Sequence, residues 1–225
     1  MSDVTLHYVH DPLCGWCYAA APMVDAVAAS GLTLALHGGG LWDQPTKLSA
    51  EKAAYIRESD ARIASAAGQT FGDRYVHGLL SDPMTVFWSE PTVAAVVAAG
   101  RIEPGAELRM LHAVQRAHYV DGRHVVRSDV LTEIAASTGV DVLSFDEAFD
   151  PAAAADHIAA TRALMARLDL RGFPSFVLER GSELVRVPHE RFYGRPDAFA
   201  EAVSHLAKFT NDQRRTSRQP EESYS

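Results

Sequence analysis

Asp11-Pro12-Leu13-Cys14-Gly15-Trp16-Cys17-Tyr18 decides how this chain is read, because a strand ends in it, a helix begins in it, and it holds both cysteines of the protein. Upstream, Val4-Thr5-Leu6-His7-Tyr8-Val9 alternates with period two and stops at Asp11-Pro12, where proline cannot extend a ladder. Downstream, Cys14 to Ser30 is mostly Ala, Val and Met, with Cys17, Ala20, Val24 and Val27 on one helical stripe and Gly31 as the stop. Pro22 falls inside this helix and is expected to kink it. Cysteines three residues apart at a helix start share one face, which is the spacing a small-ring disulfide needs. Cys14 falls at the helix N-terminus, where free backbone N–H groups and the positive end of the helix dipole favour a thiolate, the species that attacks a disulfide sulfur. Cys17, inside the first turn and better buried, is placed to attack the mixed disulfide that Cys14 forms. The pair reads as nucleophile and resolver.

Two blander readings stand beside that one. A C-x-x-C pair can be half of a zinc site, but such sites usually take four protein ligands, and no second C-x-x-C or close Cys/His pair completes one here, so no metal is expected. Two inert core thiols are the other alternative. The strand-to-helix setting favours redox chemistry.

A chain of 225 residues buries a sizeable core without disulfide staples, as one large domain or as a domain with an insertion. Two cysteines are too few for a secreted disulfide framework. Met1-Ser2-Asp3 leads directly into the first strand with no basic region or long apolar run, so no signal peptide is expected and a cytoplasmic location follows. No window reaches the length of a membrane span. A net charge of −8 argues against nucleic acid or an anionic membrane as partner, since both are bound through basic patches.

Leu32-Thr33-Leu34-Ala35-Leu36-His37 alternates again and closes a β-α-β unit that should be parallel. Gly38-Gly39-Gly40 then reads as a flexible turn, since it lacks the G-x-G-x-x-G or Lys-Ser/Thr signature of a phosphate cradle. From about Ser49 to Leu168 the pattern is all helical, with helices expected near 50–67, 91–99, 105–119, 128–137 and 151–168. Ser128 is the expected N-cap of its helix, Gly139 a C′ residue, and Pro91 and Pro151 fit first turns. After Arg171-Gly172-Phe173-Pro174 the period returns to two: 175–179 and 183–187, joined by Arg180-Gly181-Ser182, form an antiparallel hairpin. Pro196 opens a last helix with Phe199, Val203, Leu206 and Phe209 on one face, and 211–225 reads as a flexible polar tail.

In sequence this is β-α-β, a large helical insertion, then α-β-β-α. With Asp11, Cys14-Gly15-Trp16-Cys17, Pro22, the segment from Asp121-Gly122-Arg123 through Val130-Leu131, and Gly172-Phe173-Pro174, the chain resembles the DsbA family of thiol-disulfide oxidoreductases, in particular its FrnE-like cytoplasmic branch. The resemblance covers nearly everything up to Phe209. It implies an α/β thioredoxin-like fold with an all-helical insertion: 1–45 and 151–210 as the thioredoxin-like domain and 46–150 as the insertion. It also implies Cys14 as attacking thiolate, Cys17 as resolving thiol, Pro174 as a cis-proline facing the pair, and the Phe173 backbone pairing with an incoming extended peptide. Trp16, between the cysteines, is expected to touch substrate. The partners implied are protein or peptide thiols and disulfides, with glutathione as a small-thiol partner, and no cofactor. Gly15-Trp16 stands where better-known members carry Pro-His, which points to a milder, reductase- or isomerase-like poise. Phe173 is bulkier than the residue usual before this proline and is expected to narrow the groove. Two alternatives differ in class: a glutathione-dependent transferase or isomerase of the same fold, which typically carries serine where Cys14 stands, and a non-catalytic peptide-binding module.

Other residues are read more plainly. His112 and His118 lie on different faces of one helix and take solvated or capping roles. His10, near Cys14 in sequence, reads as a half-buried strand histidine, and Tyr119, Phe87 and Trp88 as core of the insertion.

Overall fold

The computed structural model describes residues 4–209; the tail expected over 211–225 and the side chain of Phe209 lie outside the described residues. Strand β1 (Val4–His10) leads through the Asp11–Leu13 turn into helix α1 (Gly15–Ala29), which returns to β2 (Thr33–Gly38). β1 and β2 run parallel with Leu6 opposite Leu34 and Tyr8 opposite Leu36. On the other side of β1, β5 (Ser175–Arg180) runs antiparallel and is continued by β6 (Glu183–Arg186), so the sheet order is β2-β1-β5-β6. The hairpin turns at Gly181, whose φ of +59° is cheap for glycine alone. α1 ends as its glycine predicts, with Gly31 at φ +78° after the Ser30 cap. Its stripe is wider than the one expected: Tyr18, Ala21 and Met23 are buried as well as Cys17, Ala20, Val24 and Val27, because α1 is clasped between α8 (Pro196–Phe209) and α2 (Ala50–Ala67).

Between β2 and β5 run α2, α3 (Ser89–Ile102), α4 (Ala106–Tyr119), α5 (Ser128–Ser137), α6 (Val142–Ala148) and α7 (Pro151–Arg167). This region departs from an all-helical expectation in three places. A ribbon of two residues a side, β3 (Thr46–Lys47) with β4 (Val86–Phe87), pins the start of α2 to the start of α3, and strands this short carry no periodicity. A π-helical turn (Arg74–Gly78) and a 3-10 turn (Leu79–Ser81) replace loop. α6 is capped by Asp141, whose carboxylate accepts the Ser144 N–H at 2.9 Å. Ser128 is not a cap: α5 begins at that residue, Arg127 is the N-cap and gives no side-chain bond, and Asp129 accepts the Val130 N–H at 3.0 Å instead. Gly139 does follow the α5 C-cap at φ +84°.

One core runs from the sheet into the insertion: Leu6 and Phe176 from β1 and β5, Val24 from α1, Met110 from α4, Leu131 from α5 and Phe199 from α8 pack as one cluster. A satellite of Tyr18, Tyr75, Leu79, Phe87 and Tyr119 seats the π turn and α4 against α1. Among the described residues no helix is long and apolar enough to cross a membrane.

Candidate active site

The β1-to-α1 turn is built around a buried carboxylate. Asp11 is fully buried; its Oδ1 accepts the Leu13 N–H at 2.8 Å and its Oδ2 the Leu41 N–H at 2.7 Å, tying the turn to the segment after β2. Burial pushes its carboxyl up, opposed by those N–H donors and by the charge of Arg162. The Asp11 N–H is directed at Cys17 Sγ, 3.4 Å away, and the Cys14 N–H donates to Asp11 O at 3.2 Å. Asp11 therefore fixes both cysteines through backbone.

Cys14 is the N-cap of α1, in extended conformation, and its carbonyl accepts from the N–H groups of Cys17 and Tyr18, each at 3.0 Å. The two thiols differ in access. Cys14 is 7% exposed and lines a cavity, whereas Cys17 is 0% exposed, sealed beneath Tyr8. Burial, together with the neighbouring Cys14 sulfur, pushes the Cys17 thiol well above its ordinary value. Both cysteines are free thiols. Such a pair can pass electrons by disulfide exchange, one sulfur meeting a partner and the other closing the ring.

Opposite Cys14 stands the loop before β5. The Phe173–Pro174 peptide bond is cis, and the Cys14 thiol donates to Phe173 O at 3.5 Å. The Phe173 ring turns toward α7 and lies under the Arg162 guanidinium at 5.1 Å, against Gly39. A Cβ on Gly39 would stand 2.2 Å from that ring, and Gly38 and Gly40 meet Val93 and Ile158 almost as closely. The tripeptide expected to be a flexible turn is instead a buried seat for the loop that faces Cys14, because three residues without side chains let Phe173 and α7 approach the backbone. The loop is further clamped from β6, whose Arg186 donates to Leu168 O and Asp169 O.

Trp16 is half-buried and tilts against Tyr193 at 4.8 Å, forming a wall between two cavities. The larger, about 720 Å³, runs along the sheet side past Arg171, Phe173, Pro174, Arg186 and Tyr193. The smaller, about 310 Å³, lies under α2 and is lined by Cys14, Trp42, Asp60, Tyr75 and Tyr119. Cys14, Trp16, Phe173 and Pro174 are thus brought together, with Cys17 directly behind.

The histidines are placed differently from the expectation. His10 is fully buried rather than half-buried, and burial with the nearby imidazoles of His157, His37 and His112 pushes it down to about 3, so it is neutral near pH 7 and supplies no cation to Cys14. His118 is not solvated but packed among Tyr75, Phe87 and Tyr119, pushed down to about 3 by burial. His112 meets Asp25 of α1 at 3.3 Å. Tyr119 and Phe87 are core, and both also wall the smaller cavity. Among the described residues no group of three or more His, Cys, Asp or Glu side chains could hold a metal ion.

Sequence reasoning passed over Asp60. A signal was present: Ala53, Ile56, Asp60 and Ile63 share one face of α2, so a carboxylate stands in an apolar stripe.

A model of the DSBA-like thioredoxin domain matches residues 5–202. The chain is 40% identical to the cytosolic disulfide reductase DsbM from Pseudomonas aeruginosa over 91% of this chain and 98% of that one, with a TM-score of 0.83. It is likewise 39% identical to that reductase in its structure with GSH, over 91% of this chain and 100% of that one, at TM-score 0.81. A 2-hydroxychromene-2-carboxylate isomerase shares the fold at 15% identity, over 93% and 98% of the two chains and at TM-score 0.60. No curated protein sequence matches.

Proposed function

The chain belongs to the DSBA-like thioredoxin domain family and is a disulfide oxidoreductase, and from that premise we propose that it reduces protein or small-molecule disulfides in the cytoplasm through Cys14 and Cys17, with glutathione as electron donor. In this reading 1–45 and 151–210 form the thioredoxin-like unit and 46–150 the helical insertion that roofs Cys14. The observation that carries the proposal is the asymmetry of the two thiols: Cys14 caps α1 at the wall of a cavity facing Phe173 O, while Cys17 is sealed and held protonated by burial. The Cys14 thiolate attacks a substrate disulfide, forming a mixed disulfide and expelling one substrate thiolate. Cys17, losing its proton, then attacks Cys14 Sγ, expels the second substrate thiolate and leaves the Cys14–Cys17 disulfide. Two equivalents of glutathione return the pair to thiols and leave as glutathione disulfide. Trp16, Phe173 and Pro174 bind substrate, the free backbone beside Pro174 pairing with an extended peptide. The donor and the location are supported by the likeness to a cytosolic reductase that has a structure with GSH.

Insulin reduction by glutathione or dithiothreitol tests this. The protein should accelerate precipitation of the insulin chains, and Cys14→Ser should reduce the rate to background. A wild type that leaves the rate unchanged contradicts the proposal and favours a transferase or a binding module.

A further inference from the structure

The smaller cavity holds a carboxyl group that the exchange scheme leaves unused. Asp60 is 5% exposed; its Oδ2 accepts the Tyr75 O–H at 2.8 Å, and its Oδ1 is turned to the dipeptide between the cysteines, 2.8 Å from where a Cβ on Gly15 would stand. Gly15 is what lets α2 press this group so close, since Ile63 Cδ1 would also be only 3.0 Å from that Cβ. Asp60 and Cys14 line the same space of about 310 Å³, room for a small thiol and not for a folded chain. At the rim Lys52 lies over the ring of Tyr55 at 5.1 Å, offering a cation to a carboxylate-bearing visitor.

We propose that Asp60 is the acid–base group of this site, exchanging the proton of a carboxylate-bearing small thiol that reacts with Cys14 inside the smaller cavity; this rests on the redox reading above. In the reductive half-reaction the thiol R–SH gives its proton to the Asp60 carboxylate as its sulfur attacks Cys14 Sγ. The R–S–Cys14 bond forms, the Cys14–Cys17 bond breaks, and the electron pair of that bond leaves on the Cys17 sulfur. In reverse, Asp60 as the acid protonates the departing thiolate. The ionisable groups around Asp60 are Cys14 from the start of α1, Lys52, Tyr55 and Arg57 on α2, Tyr75 on the π turn and Tyr119 on α4. Burial holds the Asp60 carboxyl up to about 6 against the downward pull of the Tyr75 bond, so it has both forms available near neutral pH.

The test is the pH dependence with which glutathione reduces the oxidised protein, followed by alkylation quench and expressed per glutathione thiolate. The wild-type profile should bend near pH 6. Asp60→Asn, which keeps an acceptor for Tyr75, should lose the bend and be about a hundredfold slower below it. Tyr75→Phe removes the bond that lowers the Asp60 carboxyl, so it should retain the bend and move it to higher pH. An Asp60→Asn profile that superimposes on the wild type, or a bend unmoved in Tyr75→Phe, overturns the inference while leaving the redox reading intact. Failure of glutathione to reduce the wild type at all overturns both.

Discussion

The two cavities that meet at Trp16 treat a carboxylate in opposite ways. Asp169, in the wall of the larger one, is solvated, and the Arg171 guanidinium, helped by Arg186, holds its carboxyl below the ordinary range. Asp60, in the wall of the smaller one, makes no ion pair among the described residues, and burial raises it to about 6. The sheet side is an open channel with the ion pairs of Asp169 to Arg171 and Arg186 on its rim and Pro174 in its wall. The α2 side is a smaller chamber lined largely by aromatic rings against Cys14, with its mouth at Lys52 and Tyr55. In the proposed reading an extended chain takes the first and a small thiol the second; Cys14 lines the second, and its thiol faces Phe173 O in the wall of the first.

The largest effect that could break this contrast is thermodynamic. Asp60 binds its proton more tightly folded than unfolded, so its contribution is present below pH 4 and is lost as pH rises through about 6. Relative to Asp60→Asn, the wild type should lose about 3 kcal/mol of unfolding free energy across that window. Urea titrations at pH 4 and pH 7 measure it, and a constant difference between the two proteins would place Asp60 in an ordinary solvated setting.

Gly39→Ala probes the floor shared by Phe173 and the sheet-side channel. The added methyl collides with the Phe173 ring, and overpacking of this kind costs about 2 kcal/mol. Thermal unfolding should fall by about 4–8 °C. An unchanged melting temperature would mean the loop is not seated on the glycines.

Trp16→Ala sharpens the division between the cavities. Removing the wall should lower kcat/KM for insulin about tenfold through lost aromatic contact, and change glutathione-dependent reduction of the enzyme's own disulfide by less. Equal losses with both reactants would mean that Trp16 serves one common site.

Much of the fold was legible because β1 and β2 alternate in sequence, β5 is a short apolar run bounded by Pro174 and Gly181, and the long helices carry caps and stripes that local physics dictates. The paired cysteines were legible because the helix start locates them, whereas Phe173–Pro174 was singled out by the family resemblance, its strand start alone being an ordinary place for a proline. The β3–β4 ribbon was not, being too short to show a period. His118 was misplaced because its neighbours Tyr75 and Phe87 come from segments far away in the chain. The Gly38–Gly40 run was misread for the same reason, since only the approach of Phe173, Val93 and Ile158 shows why side chains are missing there. Asp60 needed α2 to be docked on Gly15 before its carboxyl meant anything.

The central claim is that Cys14 meets the outside and Cys17 acts behind it. Purified Cys17→Ser and Cys14→Ser proteins, each mixed with glutathione disulfide and examined by intact mass, test it most directly. The account predicts one dithiothreitol-reversible glutathione on Cys17→Ser, carried by Cys14, and none on Cys14→Ser, whose remaining thiol is 0% exposed. A glutathione adduct on Cys14→Ser with none on Cys17→Ser would contradict it.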